Sequence, residues 1–298
     1  MSWRARMFEV TVDPAWGYRR LDPLPTEDEL SAFYQSGYYD LLRSEPRAPD
    51  LTRLQEGGEE AELEREWLRE TLFLDVINWA TDHNGGPGLI LEVGSGLGDM
   101  VEEFACAGWT AIGLEPAVKA AEDARERGLD VRTQTLEEFM AGSEFAPDVI
   151  VLRFVLEHVR DPISLLRSVH SCLRPLGLVI IEVPNDFNPL QEAAREAHQL
   201  ERWWVATPDH INYFDFDSLT TVLERLGFGV VERSTSFPME MFLLMGDNFV
   251  GDPAIGEACH RRRRSFEMNI EPALRRSLYS SLAGLGLGRS CLMAAIAR

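Results

Sequence analysis

The chain has 298 residues, 45% of them hydrophobic, and its 29 basic and 49 acidic side chains leave a net charge of −20. That length holds one large domain, or one domain with appendages, and a field of that sign repels phosphate backbones, so no nucleic-acid partner is expected. No apolar run reaches the roughly 18 residues of a membrane span, and the first residues lack a basic-then-apolar leader. The expectation is a cytoplasmic protein with no membrane association.

In chain order, Met7 to Val12 reads as a strand, followed by a proline-punctuated extended segment from Gly17. Thr26 is a good N-cap for a helix over 27–35, which ends near Gly37, Tyr38 and Tyr39. Those tyrosines fit either packing or a lid over a ligand. Residues 43–60, rich in Pro, Gly, Asp and Glu, read as a mobile connector. From Ala61 to Ala80 the apolar residues recur at helical spacing.

Strand and helix then alternate, as a doubly wound parallel sheet requires. Strands are expected at 88–93, 110–114, 130–133, 147–152, 178–183 and 228–234, with helices at 117–127, 162–173 and 218–226. Residues 184–215 read as irregular. Ser290 to Ala297 reads as one more strand, which makes 238–288 an insertion holding an apolar piece (Met239 to Met245) and a long polar helix near 254–282. The domains follow as 1–80, an N-terminal cap; 81–237, the core; 238–288, a helical insertion on the acceptor side or at a homodimer contact; and 289–298, the final core strand. Arg261 to Arg264 point all around a helix and read as solvated, with an anion dock as the alternative. The cysteines (Cys106, Cys172, Cys259, Cys291) are too scattered for a zinc pattern or a disulfide framework, so free, buried thiols and no metal are expected.

The most informative stretch is Leu89-Ile-Leu-Glu92-Val-Gly94-Ser95-Gly96-Leu-Gly98-Asp99. A strand buried on both faces runs into a glycine turn and a helix. The next strand ends in Glu115-Pro116, where an acid can accept hydrogen bonds from two ribose hydroxyls. A dinucleotide loop needs a glycine at position 99, which is Asp99. The pattern is Glu-x-Gly-x-Gly-x-Gly, which resembles motif I of class I S-adenosylmethionine (SAM)-dependent methyltransferases. An acidic turn also suits a sulfonium and an ammonium better than a pyrophosphate.

Further stretches resemble that superfamily in order: 133–139 after the third strand, Asp148 to Val159 around the fourth, and 173–185 around the fifth. The segments from Gly17 to Tyr39 and from Thr207 to Leu219 resemble the branch of ubiquinone-biosynthesis O-methyltransferases and related small-molecule and sugar methyltransferases. The resemblance implies a seven-stranded Rossmann-like sheet whose last strand is antiparallel. It implies SAM as cofactor, with S-adenosylhomocysteine as product, and a small-molecule acceptor. O-methylation is the first reading; N- or C-methylation, or a SAM-binding module without catalysis, stay open. It places Glu92, Gly94, Ser95, Gly96 and Gly98 around the methionine part, Glu115 and Pro116 at the ribose, Thr135 and Leu136 by the adenine, Arg153 and Phe154 at the end of the fourth strand, and Tyr38 over the site. Arg153 is unusual, since a cation beside a sulfonium is costly unless paired. A histidine suits deprotonation of a hydroxyl. His210 is the preferred base and His158 the second candidate, with Trp203, Trp204, Tyr213 and Phe214 as candidate acceptor walls.

Overall fold

The computed structural model describes residues 8–30, 57–142 and 146–298. Tyr38, the second half of the helix expected at 27–35, and most of the connector expected at 43–60 lie outside them. Strand β1 (Glu9–Val12) pairs antiparallel with β2 (Arg19–Asp22). A helical run follows as α1 (Gly58–Leu68), one wider turn over Arg69–Phe73, and α2 (Leu74–Asn84). The sequence suggested a single helix here. The wide turn rotates the buried face, carrying Phe73 to within 5.2 Å of the Arg153 guanidinium, a displacement of the kind often seen at functional sites.

The core elements are β3 (Leu89–Val93), α3 (Asp99–Cys106), β4 (Thr110–Leu114), α4 (Val118–Glu126), β5 (Val131–Arg132), α5 (Leu136–Gly142), β6 (Val149–Arg153), α6 (Pro162–Cys172) and β7 (Leu178–Pro184). After them come α7 (Pro189–His198), β8 (Asn212–Tyr213), α8 (Phe216–Arg225), β9 (Phe228–Ser234), α9 (Glu240–Leu244), α10 (Pro253–Asn269), α11 (Pro272–Gly284) and β10 (Ser290–Ala297). Seven strands form one sheet in the order β5-β4-β3-β6-β7-β10-β9, with β10 antiparallel to both neighbours. The fold is the doubly wound, Rossmann-like sheet expected.

Both faces of this sheet are covered, which is why its strands read as unbroken apolar runs. Leu91, Val93, Ile150, Leu152, Val179 and Ile181 face one layer with residues of α6 and α8. The alternate residues, Ile90, Val149, Val151, Leu178 and Ile180, face the other with Phe73, Val76, Ile77 and Ala80. Helix α2 is therefore part of the core packing, not of a cap ending at residue 80.

Three further expectations change. Within 184–215 lie α7 and β8. Helix α7 opens on a reciprocal cap between Asn188 and Gln191, with Pro189 in its first turn. The long helix near 254–282 is two helices, because Glu271 caps a new one at Pro272. Cys172, Cys259 and Cys291 are buried thiols, but Cys106 is exposed.

Strand β8 joins β1 and β2 in a small second sheet, β1-β2-β8. Tyr18 stacks on Phe214 at 5.0 Å, and Arg19 Nη1 donates to Asp215 Oδ2 at 2.9 Å. The N-terminal hairpin thus holds the segment that follows β8, whose Phe214 bridges to Asn185 just beyond β7 of the main sheet. No described helix is long and apolar enough to cross a membrane.

Candidate active site

The C-terminal ends of β3, β4, β6 and β7 meet at one edge of the sheet, where ligands bind in open α/β folds. The glycine turn begins there. Gly94 N and Ser95 N both donate to Leu114 O, at 2.8 and 3.1 Å, tying the turn to the neighbouring strand. Gly94 and Gly98 have φ of 73° and 80°. A Cβ on either would strike a neighbour: Val155 at 2.6 Å or Leu129 at 2.8 Å. Gly96, with φ 53°, has nothing within 4 Å of that direction, so the middle of the turn faces open space.

Glu115 closes β4 and grips the turn. Its Oε2 accepts from Gly96 N and its Oε1 from Ala117 N, both at 2.8 Å. Each oxygen keeps one lone-pair direction for a further donor. Pro116 beside it is exposed.

Glu92, Arg153 and Glu182 lie on the same face at the ends of β3, β6 and β7. Arg153 Nε donates to Glu182 Oε2 at 2.8 Å, across a parallel register that pairs the two residues. That bond accounts for the arginine: its charge is committed to Glu182. Glu92 is 3% exposed, and its Oε2 has no hydrogen-bond partner. Burial pushes its carboxyl up to about 8, and the nearby Arg153 charge only partly offsets this. A buried, unpartnered carboxyl oxygen beside an open glycine turn fits a cationic group, as the ammonium of SAM would provide. Phe154 follows with φ 54° and is 43% exposed, so an aromatic face stands at the mouth of the crevice.

Not every expected contact is in reach. Leu136 is 1% exposed and packs in the core, so only its backbone can meet an adenine. Thr135 caps α5: its N accepts nothing but donates to Glu138 Oε2 at 2.8 Å, and its Oγ1 accepts from Glu138 N at 3.3 Å.

The two histidines, distant in sequence, lie together with rings edge-on at 4.9 Å. His158 Nδ1 lies 2.9 Å from Asp209 O. A carbonyl only accepts, so Nδ1 carries the proton and Nε2 the lone pair. Burial pushes the His158 pKa down, against the pull of Asp209, which favours the neutral ring. Its Nε2 is 3.9 Å from Glu157 Oε1. Glu157 is 1% exposed and neither carboxyl oxygen has a hydrogen-bond partner, so burial raises its pKa well above the usual range. Glu157, His158 and His210 each bring a ligand atom within 4.8 Å of the others, a spacing that suits a proton relay and would also admit a metal ion.

The rings of Trp204 and Tyr213 stand edge-on to Phe187, at 5.6 and 5.8 Å. Arg19 and Arg202 lie over the same Phe187 ring. Phe187 was not singled out from the sequence; its position just beyond the fifth strand was the available signal. Phe214 belongs to the core, not to a pocket wall. Arg261 to Arg264 form no anion dock. Arg261 pairs with Glu257, Arg262 with Asp247 at 2.6 Å, Arg263 with Glu267 at 3.1 Å and Arg264 with Glu60 at 3.3 Å.

A family model described as a methyltransferase domain matches residues 61–233. Ubiquinone biosynthesis O-methyltransferase of Aeromonas salmonicida is 35% identical over 117 residues, covering 37% of this chain and 49% of that protein. C-methyltransferase NovU of Streptomyces niveus is 28% identical over 152 residues, covering 50% of this chain and 34% of that protein. The chain thus spans half or less of the length of these curated relatives. The crystal structure of a SAM dependent methyltransferase from Archaeoglobus fulgidus matches with a TM-score of 0.52 at 18% identity, covering 87% of this chain and all of that one. At that identity it speaks for the fold.

Proposed function

Since the chain belongs to the methyltransferase-domain family, within the class I SAM-dependent methyltransferases, we propose that it moves a methyl group from SAM to a hydroxyl of a small metabolite or sugar-like acceptor. The observation that carries this reading is the buried Glu92 carboxyl oxygen, left without a partner beside the open face of Gly96. Glu92 receives the cofactor's ammonium, which restores its ionised form. Glu115 offers its two remaining lone pairs to the ribose hydroxyls. Phe154 covers the crevice, and Gly96 lets the ligand approach the backbone. Bound SAM supplies a methyl on a sulfonium, which leaves as a neutral thioether and needs no acid.

The protein's remaining tasks are alignment and removal of the acceptor proton. His158 suits the second task better than His210, because Asp209 holds its tautomer with Nε2 basic. His210 stands edge-on beside it and aligns the acceptor. Phe187, partly exposed and backed by the buried rings of Trp204 and Tyr213, supplies an aromatic surface. The C-methyltransferase relative keeps carbon as the second reading for the methylated atom.

Calorimetric titration with SAM, followed by a screen of hydroxylated metabolites for S-adenosylhomocysteine, tests this. Binding of SAM that Gly96→Val abolishes is expected. His158→Ala should keep SAM binding and lose turnover by about 10²–10⁴-fold. A SAM titration with no heat, or full turnover in the His158 variant, would overturn the cofactor site and the base respectively.

A further inference from the structure

Helices α1 and α10 lie side by side, and a groove of about 260 Å³ runs between them. Leu63, Trp67 and Met268 supply its apolar lining, Glu66 one charged edge, and Arg261 and Arg264 the other. Leu63, Phe266 and Met268 are 37%, 39% and 41% exposed. Leu63 and Met268 line this groove from opposite helices and Phe266 lies on the neighbouring groove, so the exposed apolar residues are clustered and not scattered singly. A second groove, of about 500 Å³, continues around α10 over Arg262, Phe266 and Ile270.

The charges flanking the groove are of opposite sign. Helix α1 exposes Glu59, Glu60, Glu62 and Glu66 against Arg65, and α10 exposes Arg261 and Arg262, whose partners within the chain are Glu257 and Asp247. Within the chain Arg264 reaches Glu60, while among the described residues no ion pair involves Glu62 or Glu66. On a chain of net charge −20 this is where repulsion between copies is locally cancelled. An acidic stripe, an apolar strip and a basic stripe in that order are self-complementary: a two-fold axis through the strip lays each acidic stripe on the partner's basic one.

The helix pair beneath is rigid. Glu267 Oε2 accepts from Trp67 Nε1 at 2.8 Å and from Arg263 Nε at 3.1 Å, and its Oε1 accepts from Tyr279 Oη at 2.6 Å. His260 Nε2 lies 2.9 Å from Glu64 Oε2. The Trp67–Glu267 and His260–Glu64 bonds hold α1 on α10 and the Tyr279–Glu267 bond ties in α11, so little ordering remains for association to impose.

We infer that the α1–α10 face is a two-fold dimer interface that takes a second copy of this chain, with α1 of each protomer lying on α10 of the other. The partner is recognised by apolar contact at Leu63 and Met268 and by Glu66 facing Arg261 across the axis. This does not depend on the methyl-transfer reading.

Light scattering coupled to gel filtration, with circular dichroism as a check of folding, tests it on the full chain. The native chain should elute as a dimer that weakens with added salt. Met268→Glu and Leu63→Glu should each raise the dissociation constant at least tenfold, about 1.4 kcal/mol. Glu66→Arg and Arg261→Glu should each be monomeric alone, since each sets like charges opposite one another. Mixed, those two chains should form a heterodimer, because both cross-axis pairs are then opposite in sign. A monomeric native chain, a dimer indifferent to all four substitutions, or a mixture that stays monomeric overturns the proposal.

Discussion

Glu92 and Glu267 are buried to nearly the same extent, 3% and 2% exposed, yet their surroundings differ. Glu267 accepts three side-chain hydrogen bonds, from Trp67, Arg263 and Tyr279. Glu92 has an oxygen with no hydrogen-bond partner, and the nearby cation Arg153 is spent on Glu182. A buried carboxylate costs stability unless it is paired and hydrogen-bonded. The molecule meets that cost at Glu267 with its own side chains and leaves it unmet at Glu92. The lesson is that burial alone does not mark a binding site; burial without a partner, beside open space, does.

The sharpest way to break this contrast is Glu267→Ala. It removes the carboxylate paired with buried Arg263, and losing one member of a buried pair costs about 3–5 kcal/mol. A fall in Tm of roughly 10 °C is expected in thermal unfolding, with SAM affinity unchanged in the folded fraction. A stable variant would mean that the network holds nothing.

Gly98→Ala comes next. It places a Cβ 2.8 Å from Leu129 at a φ of 80°, costing about 2–3 kcal/mol by chemical denaturation. Gly96→Ala meets no atom and should cost only the strain of its positive φ, about 1 kcal/mol, while weakening SAM binding. Equal losses of stability at the two positions would contradict the packing described for Gly98.

Glu92→Gln should do the opposite of Glu267→Ala in the unliganded protein. The folded carboxyl holds its proton up to about pH 8, against an ordinary value of 4.5. The unfolded chain therefore releases that proton first, and stability falls as pH rises from about 4.5 to about 8. A glutamine does not titrate, so the variant's Tm should exceed the native one by more at pH 8 than at pH 5. SAM binding should weaken about 10- to 100-fold with loss of the charged acceptor. An identical Tm gap at both pH values would show that Glu92 is ionised throughout. The smallest effect is Trp67→Phe, which removes one of the three donors to Glu267 and should cost about 1 kcal/mol of unfolding free energy.

Much of the core was legible because its signals are local. The Val/Ile/Leu runs of β3, β6 and β7 announce burial on both faces, and the alternate glycines announce positive φ. What was missed depended on neighbours. Helix α7 carries its start signals at Asn188, Pro189 and Gln191, but only Gln191 and Ala194 in it are buried, too few for a helical apolar stripe. Arg261 to Arg264 read as a solvated run; their carboxylate partners come from α1, from the loop before α10 and from α10 itself.

By itself, the sequence determined the alternation of strand and helix and the glycine turn with acids at its rim, since periodicity, burial and backbone freedom are properties of neighbouring residues; the antiparallel direction of the last strand was implied only by the family resemblance. Only the tertiary structure decided which acids are partnered and which nitrogen of His158 is basic. Trp67 lies 200 positions from Glu267, and Asp209 lies 51 from His158. Protonation and pairing are set by which groups meet in space, and no local pattern records that.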